Sequence, residues 1–234
     1  MDKCIWTVAR GPSLDHSAMT DLLLGDLPAK LPQLAPHVTA AYVTMQERGE
    51  FSRASVSDDE SGGTVDAVIE LEADISYPAL DDFNAYLREA WSFVQGWRVK
   101  PTLIYDSTMH ASLGKPSEFP SILIFIERLD GTSKDHFDRN WYMHAGHSDG
   151  REEESENSIS ERKREEAMGP RLYRQNRVIE PVSPTNWLIH GYTQLQIGMF
   201  IPELGSEPYE RERGEEPFDR WPPRLIQGYE IRIR

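Results

Sequence analysis

The sequence has almost no cysteine, since Cys4 is the single one in 234 residues. One cysteine excludes an intramolecular disulfide framework and a cysteine-rich zinc site. The first ten residues, MDKCIWTVAR, lack the charged and apolar regions of a signal peptide, so we do not expect export. A reducing compartment suits such a chain, and we expect a cytoplasmic location.

Positive charge and long apolar runs are also scarce. The chain has 25 Lys and Arg residues against 39 Asp and Glu residues, which gives a formal net charge of -14. A surface this acidic repels phosphate groups, so we expect neither nucleic acid nor an anionic membrane as a partner. No apolar run approaches the roughly 18 residues of a membrane span.

What the sequence does contain is enough apolar surface for a core, since 38% of its residues are hydrophobic. The order of predicted elements repeats along the chain. The first half predicts strands at 3–10, 38–47, 64–71 and 97–108, with helices at 13–34 and 79–94. The second half predicts strands at 121–129, 170–182, 186–200 and 225–234, a helix at 133–147, and 203–220 in the place of a second helix.

The order β-α-β-β-α-β is that of a ferredoxin-like unit. We therefore predict an α+β fold of two tandem ferredoxin-like units, residues 1–114 and 115–234. Each antiparallel sheet has one face covered by helices, so the two remaining faces can pair as an α+β barrel with a cavity between them. The polar insertion 148–166 predicts a solvated loop, a protruding helix or a lid, and we expect its deletion to leave the fold intact.

The helix at 133–147 carries the richest group of candidate catalytic residues. His144 and His147 are three residues apart, so they share a helix face. An imidazole with a pKa near 6.5 can both take and give a proton at neutral pH, which favours a general acid/base role. The alternative is a histidine that interacts with the helix dipole beside a solvated partner. No third ligand accompanies the pair at a fixed spacing, so no metal site is predicted.

Two predicted strands add polar candidates. His190 and Tyr192 are two apart and should point to the same side, with Tyr192 as a hydrogen-bond donor to an oxyanion and His190 as a second base. Arg174 and Asn176 share a face and could bind a carboxylate or phenolate. The alternatives are an ordinary polar strand face and a cross-strand pair that binds no ligand.

The repeated order, together with HFDRNWYMHAGH on the first helix of the second unit, resembles the dimeric α+β barrel superfamily and, within it, the EthD family. In that family this helix typically carries a Phe, then an aromatic residue and a His near its end. Phe137, Trp141 and His144 match these positions, with His147 as the rival histidine. The resemblance implies that Trp141 walls a substrate pocket and that the next strand contributes Arg174 and Asn176.

The function expected from these features is a cofactor-independent lyase or isomerase that acts on a small hydrophobic, oxygenated substrate of aromatic or polyketide-like type. His144 or His147 would move the proton, and Tyr192, Asn176 and Arg174 would hold the oxygen on which charge develops. One alternative is a monooxygenase in the same barrel, either cofactor-free or with a haem on His144 or His190. A binding or assembly module without catalysis is a further alternative, and a homodimer is one option for the oligomeric state.

Overall fold

The computed structural model describes residues 2–46, 65–73, 80–106, 112–144, 172–184, 189–196 and 224–234. The insertion 148–166 and the segment 203–220 lie outside the described residues. Among the described residues, no helix is long and apolar enough to cross a membrane.

Nine strands and four α-helices are described, close to the predicted positions. The strands are β1 Asp2–Ala9, β2 Ala40–Met45, β3 Ala67–Ala73, β4 Phe93–Asp106, β5 Ser121–Glu127, β6 Leu172–Pro181, β7 Ile189–Gln196, β8 Arg224–Gly228 and β9 Glu230–Arg232. The helices are α1 His16–Asp21, α2 Leu27–Leu34, α3 Asp81–Ala90 and α4 Lys134–His144. A π-helical turn at Leu22–Asp26 joins α1 to α2, and the predicted last strand is interrupted at Tyr229.

All nine strands belong to one antiparallel sheet, in the order β8-β5-β7-β6-β4-β1-β3-β2-β9. The two halves of the chain occupy adjacent parts of this sheet and are joined edge to edge by the pairing of β4 with β6. The expectation of two separate facing sheets is therefore corrected to a single sheet that curves into a nearly closed barrel. The division into two units at residue 114 stays a prediction.

The last strand closes the barrel, because its two parts pair with opposite ends of the sheet. β8 pairs with β5, and β9 pairs with β2. The approach is tight at Gly228, where an added Cβ would lie 1.8 Å from the backbone oxygen of Met45. A glycine is needed here because two backbones meet without room for a side chain.

Alternation along the strands separates an outer face from an inner one. On β1, Trp6 belongs to the cluster that packs with α1, α2 and α3, whereas Ile5 packs inside the barrel. The apolar part of the interior draws on both halves of the chain and consists of Ile5, Val65, Val68, Trp97, Val99, Leu123, Phe125, Ile189, Tyr192 and Ile226. Because both halves contribute to this interior, neither half on its own would bury the inner face of its strands.

Candidate functional site

A cleft of about 190 Å³ opens on the outer face of the sheet, between α4 and the strands β4 and β6. Its walls consist of Lys100, Thr102, Asp138, Trp141, Gln175 and Arg177. The lining therefore combines one large aromatic ring with charged, hydroxyl and amide groups, which makes it more polar than most small-molecule sites.

The aromatic wall of the cleft is fixed by the packing of α4. Ser133 caps this helix, since its Oγ accepts a hydrogen bond of 3.1 Å from the backbone N–H of His136. Trp141 follows Phe137 by four residues, and both side chains are buried against the sheet. The ring of Trp141 lies over Gly191, where an added Cβ would be 2.1 Å away, so the close contact requires glycine.

Polar contacts hold the rest of the cleft in place. The Gln175 side-chain amide donates a hydrogen bond of 2.8 Å to the backbone oxygen of Trp141. Arg177 lies 3.3 Å from the carboxylate of Asp138, which also pairs with Lys134 at 2.6 Å. Lys100 brings a further cation to the lining. Cations beside an aromatic wall suit a planar ligand that carries a negative oxygen.

Of the predicted catalytic residues on α4, the structure describes the helix and its end at His144. The side chain of His144, and the whole of His147, lie outside the described residues. A proton-transfer role for one of them stays a prediction.

The predicted oxygen-binding residues lie on the other face of the sheet from Trp141. Arg174 and Asn176 do share a face, as predicted, and Asn176 is opposite Tyr192 across the β6–β7 pairing. That face is the barrel interior, where the Tyr192 hydroxyl donates a hydrogen bond of 2.5 Å to Glu70. The expectation that these residues and Trp141 form one pocket is therefore wrong. Their neighbours Gln175 and Arg177, one position along β6, line the cleft instead.

His190 is separated from Tyr192 by an irregularity in the sheet. On β5, Ile126 pairs with Gly191 but the next residue, Glu127, pairs with Ile189, so His190 is the extra residue of a β-bulge. Its ring packs against Phe137 of α4 at 5.5 Å between centroids, and its Nδ1 accepts a hydrogen bond from the Arg128 backbone. The prediction that His190 and Tyr192 point to the same side is wrong because a bulge breaks strict alternation.

The sequence indicated Arg174 and Tyr192 as polar candidates, but not the buried polar cluster inside the barrel to which they belong. We call it the interior cluster, and it consists of Lys3, Glu70, Glu72, Arg174, Tyr192, Gln194 and Glu230. The signal was present, because Glu70 and Glu72 alternate with Ile69 and Leu71 along one strand. Charged residues at alternate positions of a strand usually indicate a face exposed to solvent. That these residues face the inside of a barrel follows only from the pairing of strands that are distant in the chain.

Burial and neighbouring charges shift the pKa values of the interior cluster in different directions. Burial alone would raise the pKa of Glu70, but the charge of Lys3 and hydrogen bonds from Lys3 and Tyr192 hold that pKa below its ordinary value. Burial, and then the charge of Glu70, raise the pKa of Glu230 to about 7. Burial and Glu70 also raise the pKa of Tyr192 well above its ordinary value. Among the described residues, no group of three or more His, Cys, Asp or Glu side chains could hold a metal ion.

Comparisons with known proteins support the fold and leave the family open. No protein-family model matches the chain, and no curated protein matches it significantly. Among solved structures, it is similar to an anthrone oxidase-like protein with a TM-score of 0.51 at 6% identity, over 99% of this chain and 92% of that one. A candidate monooxygenase from Lactobacillus acidophilus NCFM gives a TM-score of 0.43 at 11% identity, over 100% of this chain and 94% of that one. At such identities the first likeness concerns the fold alone.

Proposed function

We propose that this chain is a cofactor-independent oxidase that removes a proton from a small aromatic, oxygenated carbon acid bound in the cleft beneath α4. The observation that carries the proposal is the cleft itself, where the fixed ring of Trp141 lies beside the cations Arg177 and Lys100. The anthrone oxidase-like neighbour supports an oxygen-using reaction within this fold. A lyase or isomerase reaction would begin with the same step, the removal of a proton from the substrate carbon.

Binding in this proposal follows from the chemistry of the cleft walls. The Trp141 ring packs against the flat face of an aromatic substrate. Arg177 and Lys100 attract the substrate oxygen, which becomes negative when the adjacent carbon loses its proton. Because the negative charge is greater after deprotonation than before, these cations lower the pKa of the bound carbon acid and favour its ionisation.

The proton goes to a histidine at the end of α4, with His144 as the proposed acceptor and His147 as its rival. The resulting carbanion reduces O2 and forms a hydroperoxide at the same carbon. Loss of water then leaves a ketone, so one CH2 group and one O2 give one C=O group and one water. The four electrons that leave the carbon are those that O2 accepts.

The haem alternative has one candidate ligand whose side chain is described, His190. Its ring packs against Phe137, its Nδ1 accepts a hydrogen bond from the Arg128 backbone, and it does not line the cleft. We therefore derive no step through a haem.

Anthrone appears in the name of the similar anthrone oxidase-like protein. It is a suitable probe because its CH2 group is an activated carbon acid. We expect the purified protein to consume one O2 for each anthrone converted to the quinone, above the uncatalysed rate. His144→Ala should lower kcat by at least about 10²-fold, the effect expected from loss of a general base. Arg177→Met should raise KM, whereas the control Arg88→Met, on the exposed side of α3, should leave both constants unchanged.

The same experiment separates the competing proposals. Exchange of the CH2 hydrogens with solvent deuterium, without O2 uptake, would support the lyase or isomerase reading and overturn the oxidase. Absence of both reactions, together with no binding of anthrone that depends on Trp141, would overturn the assignment of the cleft as a substrate site.

A further inference from the structure

The barrel is closed by a very short strand pairing. On one side of β9, Glu230, Ile231 and Arg232 pair with three residues of β2. On the other side, the Ser117 backbone N–H donates a hydrogen bond of 2.7 Å to the backbone carbonyl oxygen of Glu230, and the Gly114 N–H donates one of 2.8 Å to the backbone carbonyl oxygen of Arg232. We call the contact between β9 and β2 the seam. It continues past Arg232, where the backbone N–H of Ile233 donates a hydrogen bond of 2.8 Å to the backbone oxygen of Ala41, and it remains short.

Carboxylates outnumber cations in the interior cluster beside this seam. Both buried cations are already engaged, since Lys3 lies 2.8 Å from Glu70 and 3.8 Å from Glu72, and Arg174 lies 3.4 Å from Glu72. Glu230 is 8% exposed, and its partner at 2.7 Å is the neutral side-chain amide of Gln194. Within the described part of the chain, no ion pair to Glu230 is formed. An ionised carboxylate in such a position costs much more free energy than a neutral one.

We propose that Glu230 is a proton-controlled latch of the barrel: its protonation stabilises the closed seam, and its ionisation weakens the pairing of β9 with β2. A protonated Glu230 gains a donor that a carboxylate lacks. Gln194 offers a matching acceptor, because its Oε1 is buried and has no hydrogen-bond partner among the described residues. Acid and amide can then form two hydrogen bonds to each other, which replaces an unpaired charge with a satisfied neutral pair.

Several charged or titratable groups face Glu230 or flank it. They are Lys3 from β1, Tyr42 from β2, Glu70 and Glu72 from β3, Arg174 from β6, Tyr192 from β7 through its hydrogen bond to Glu70, and Arg232 from β9 itself. The largest effects compete: burial and the charge of Glu70 raise the pKa of Glu230, while Lys3 and Arg174 lower it. The balance is a pKa of about 7 in the folded protein, against an ordinary value of 4.5.

The sign of the pH dependence follows from these two values. Between pH 4.5 and about 7, the closed barrel holds a proton on Glu230 that the opened seam does not. The closed form is therefore favoured at the acid end of this window, and that preference is lost as the pH rises through it. Above about pH 7, both forms are ionised and the dependence on pH ends.

Hydrogen exchange followed by mass spectrometry tests the latch on the full chain. After correction for intrinsic rates, we expect protection of 40–45 and 230–234 to fall by up to about tenfold per pH unit between pH 5 and 7, and then to level off. Glu230→Gln keeps the neutral hydrogen bonds, so its protection at the seam should not change with pH in this window. The control Glu180→Gln removes a 54% exposed carboxylate that pairs with Arg98, and should follow the wild type.

A seam in the wild type that shows no pH dependence, or the same dependence in Glu230→Gln, would overturn the proposal. A second measurement covers the case in which Glu230→Gln does not fold. The infrared spectrum of the wild type should show the carbonyl band of a buried protonated carboxyl group at pH 6 that is lost at pH 8. Absence of that band at pH 6 would refute the latch. Neither readout depends on the proposed enzymatic activity.

Discussion

Lys3 shows how a single residue can depend on the whole interior of the barrel. Its ammonium group is buried and lies 2.8 Å from Glu70 and 3.8 Å from Glu72. An ion pair of this kind contributes little over a well-packed apolar pair, but the loss of one partner leaves the other charge buried without compensation. Lys3 therefore stabilises the fold because it compensates the buried charges of Glu70 and Glu72.

We expect Lys3→Met to lower the free energy of unfolding at pH 7 by about 3–5 kcal/mol, measured by urea denaturation. The matched control is Lys30→Met, which removes a lysine paired with Asp26 on the surface and should change little. Because Lys3 lowers the pKa of Glu70, its stabilising effect is present above the ordinary pKa of 4.5 and is lost as the pH falls. The deficit of Lys3→Met should therefore shrink in acid, and adding Glu70→Gln should recover part of it at pH 7. A constant deficit across this range would contradict the ion-pair account.

At the scale of elements, α3 is positioned by a buried asparagine as well as by its apolar stripe. Asn84 accepts a hydrogen bond of 2.9 Å from the Trp6 indole of β1 and donates one of 2.7 Å to the backbone oxygen of Val182, just after β6. Phe83 and Leu87 of this helix are buried as well. The sequence predicted a helix up to residue 94, but Val94 belongs to β4, because the chain leaves the helix after Ala90.

Asn84→Ala should lower the free energy of unfolding by about 1–3 kcal/mol, since the Trp6 N–H and the Val182 oxygen lose their partner in a buried site. Thermal and urea unfolding would measure the loss. Glu89→Ala, at an exposed position of the same helix, is the control and should leave stability unchanged. Equal effects in the two variants would mean that helix propensity, and not the hydrogen bonds, holds α3 in place.

At the scale of the whole molecule, the barrel depends on the close approach of β8 to β2. A Cβ at Gly228 would lie 1.8 Å from the Met45 backbone oxygen, and no rotation of a side chain can relieve that contact. The position of β2, in the first half of the chain, therefore requires glycine at residue 228 of β8.

We expect Gly228→Ala to destabilise the protein by at least about 1–3 kcal/mol and to increase hydrogen exchange in β2. Gly25→Ala is the control, because nothing lies within 4 Å of the added methyl group and alanine favours a helical backbone. A wild-type melting temperature for Gly228→Ala would show that the barrel closes without this contact.

The sequence by itself determined the order and type of most elements. Alternation and β-branched content located most of the strands, because these signals act between residues close in the chain. It also indicated correctly that Arg174 and Asn176 share a strand face. It did not indicate that Gln175 and Arg177, on the opposite face of the same strand, lie under α4.

Only the tertiary structure decided which residues meet. The bulge that turns His190 away from Tyr192 arises from the pairing of β5 with β7, and the interior cluster joins residues as far apart as Lys3 and Glu230. A charged residue on a strand has the same local pattern whether it faces water or the inside of a barrel. Its burial, and hence its pKa, depends on whether strands from opposite ends of the chain pair and close the barrel. No pattern of neighbouring residues in the sequence indicates that pairing.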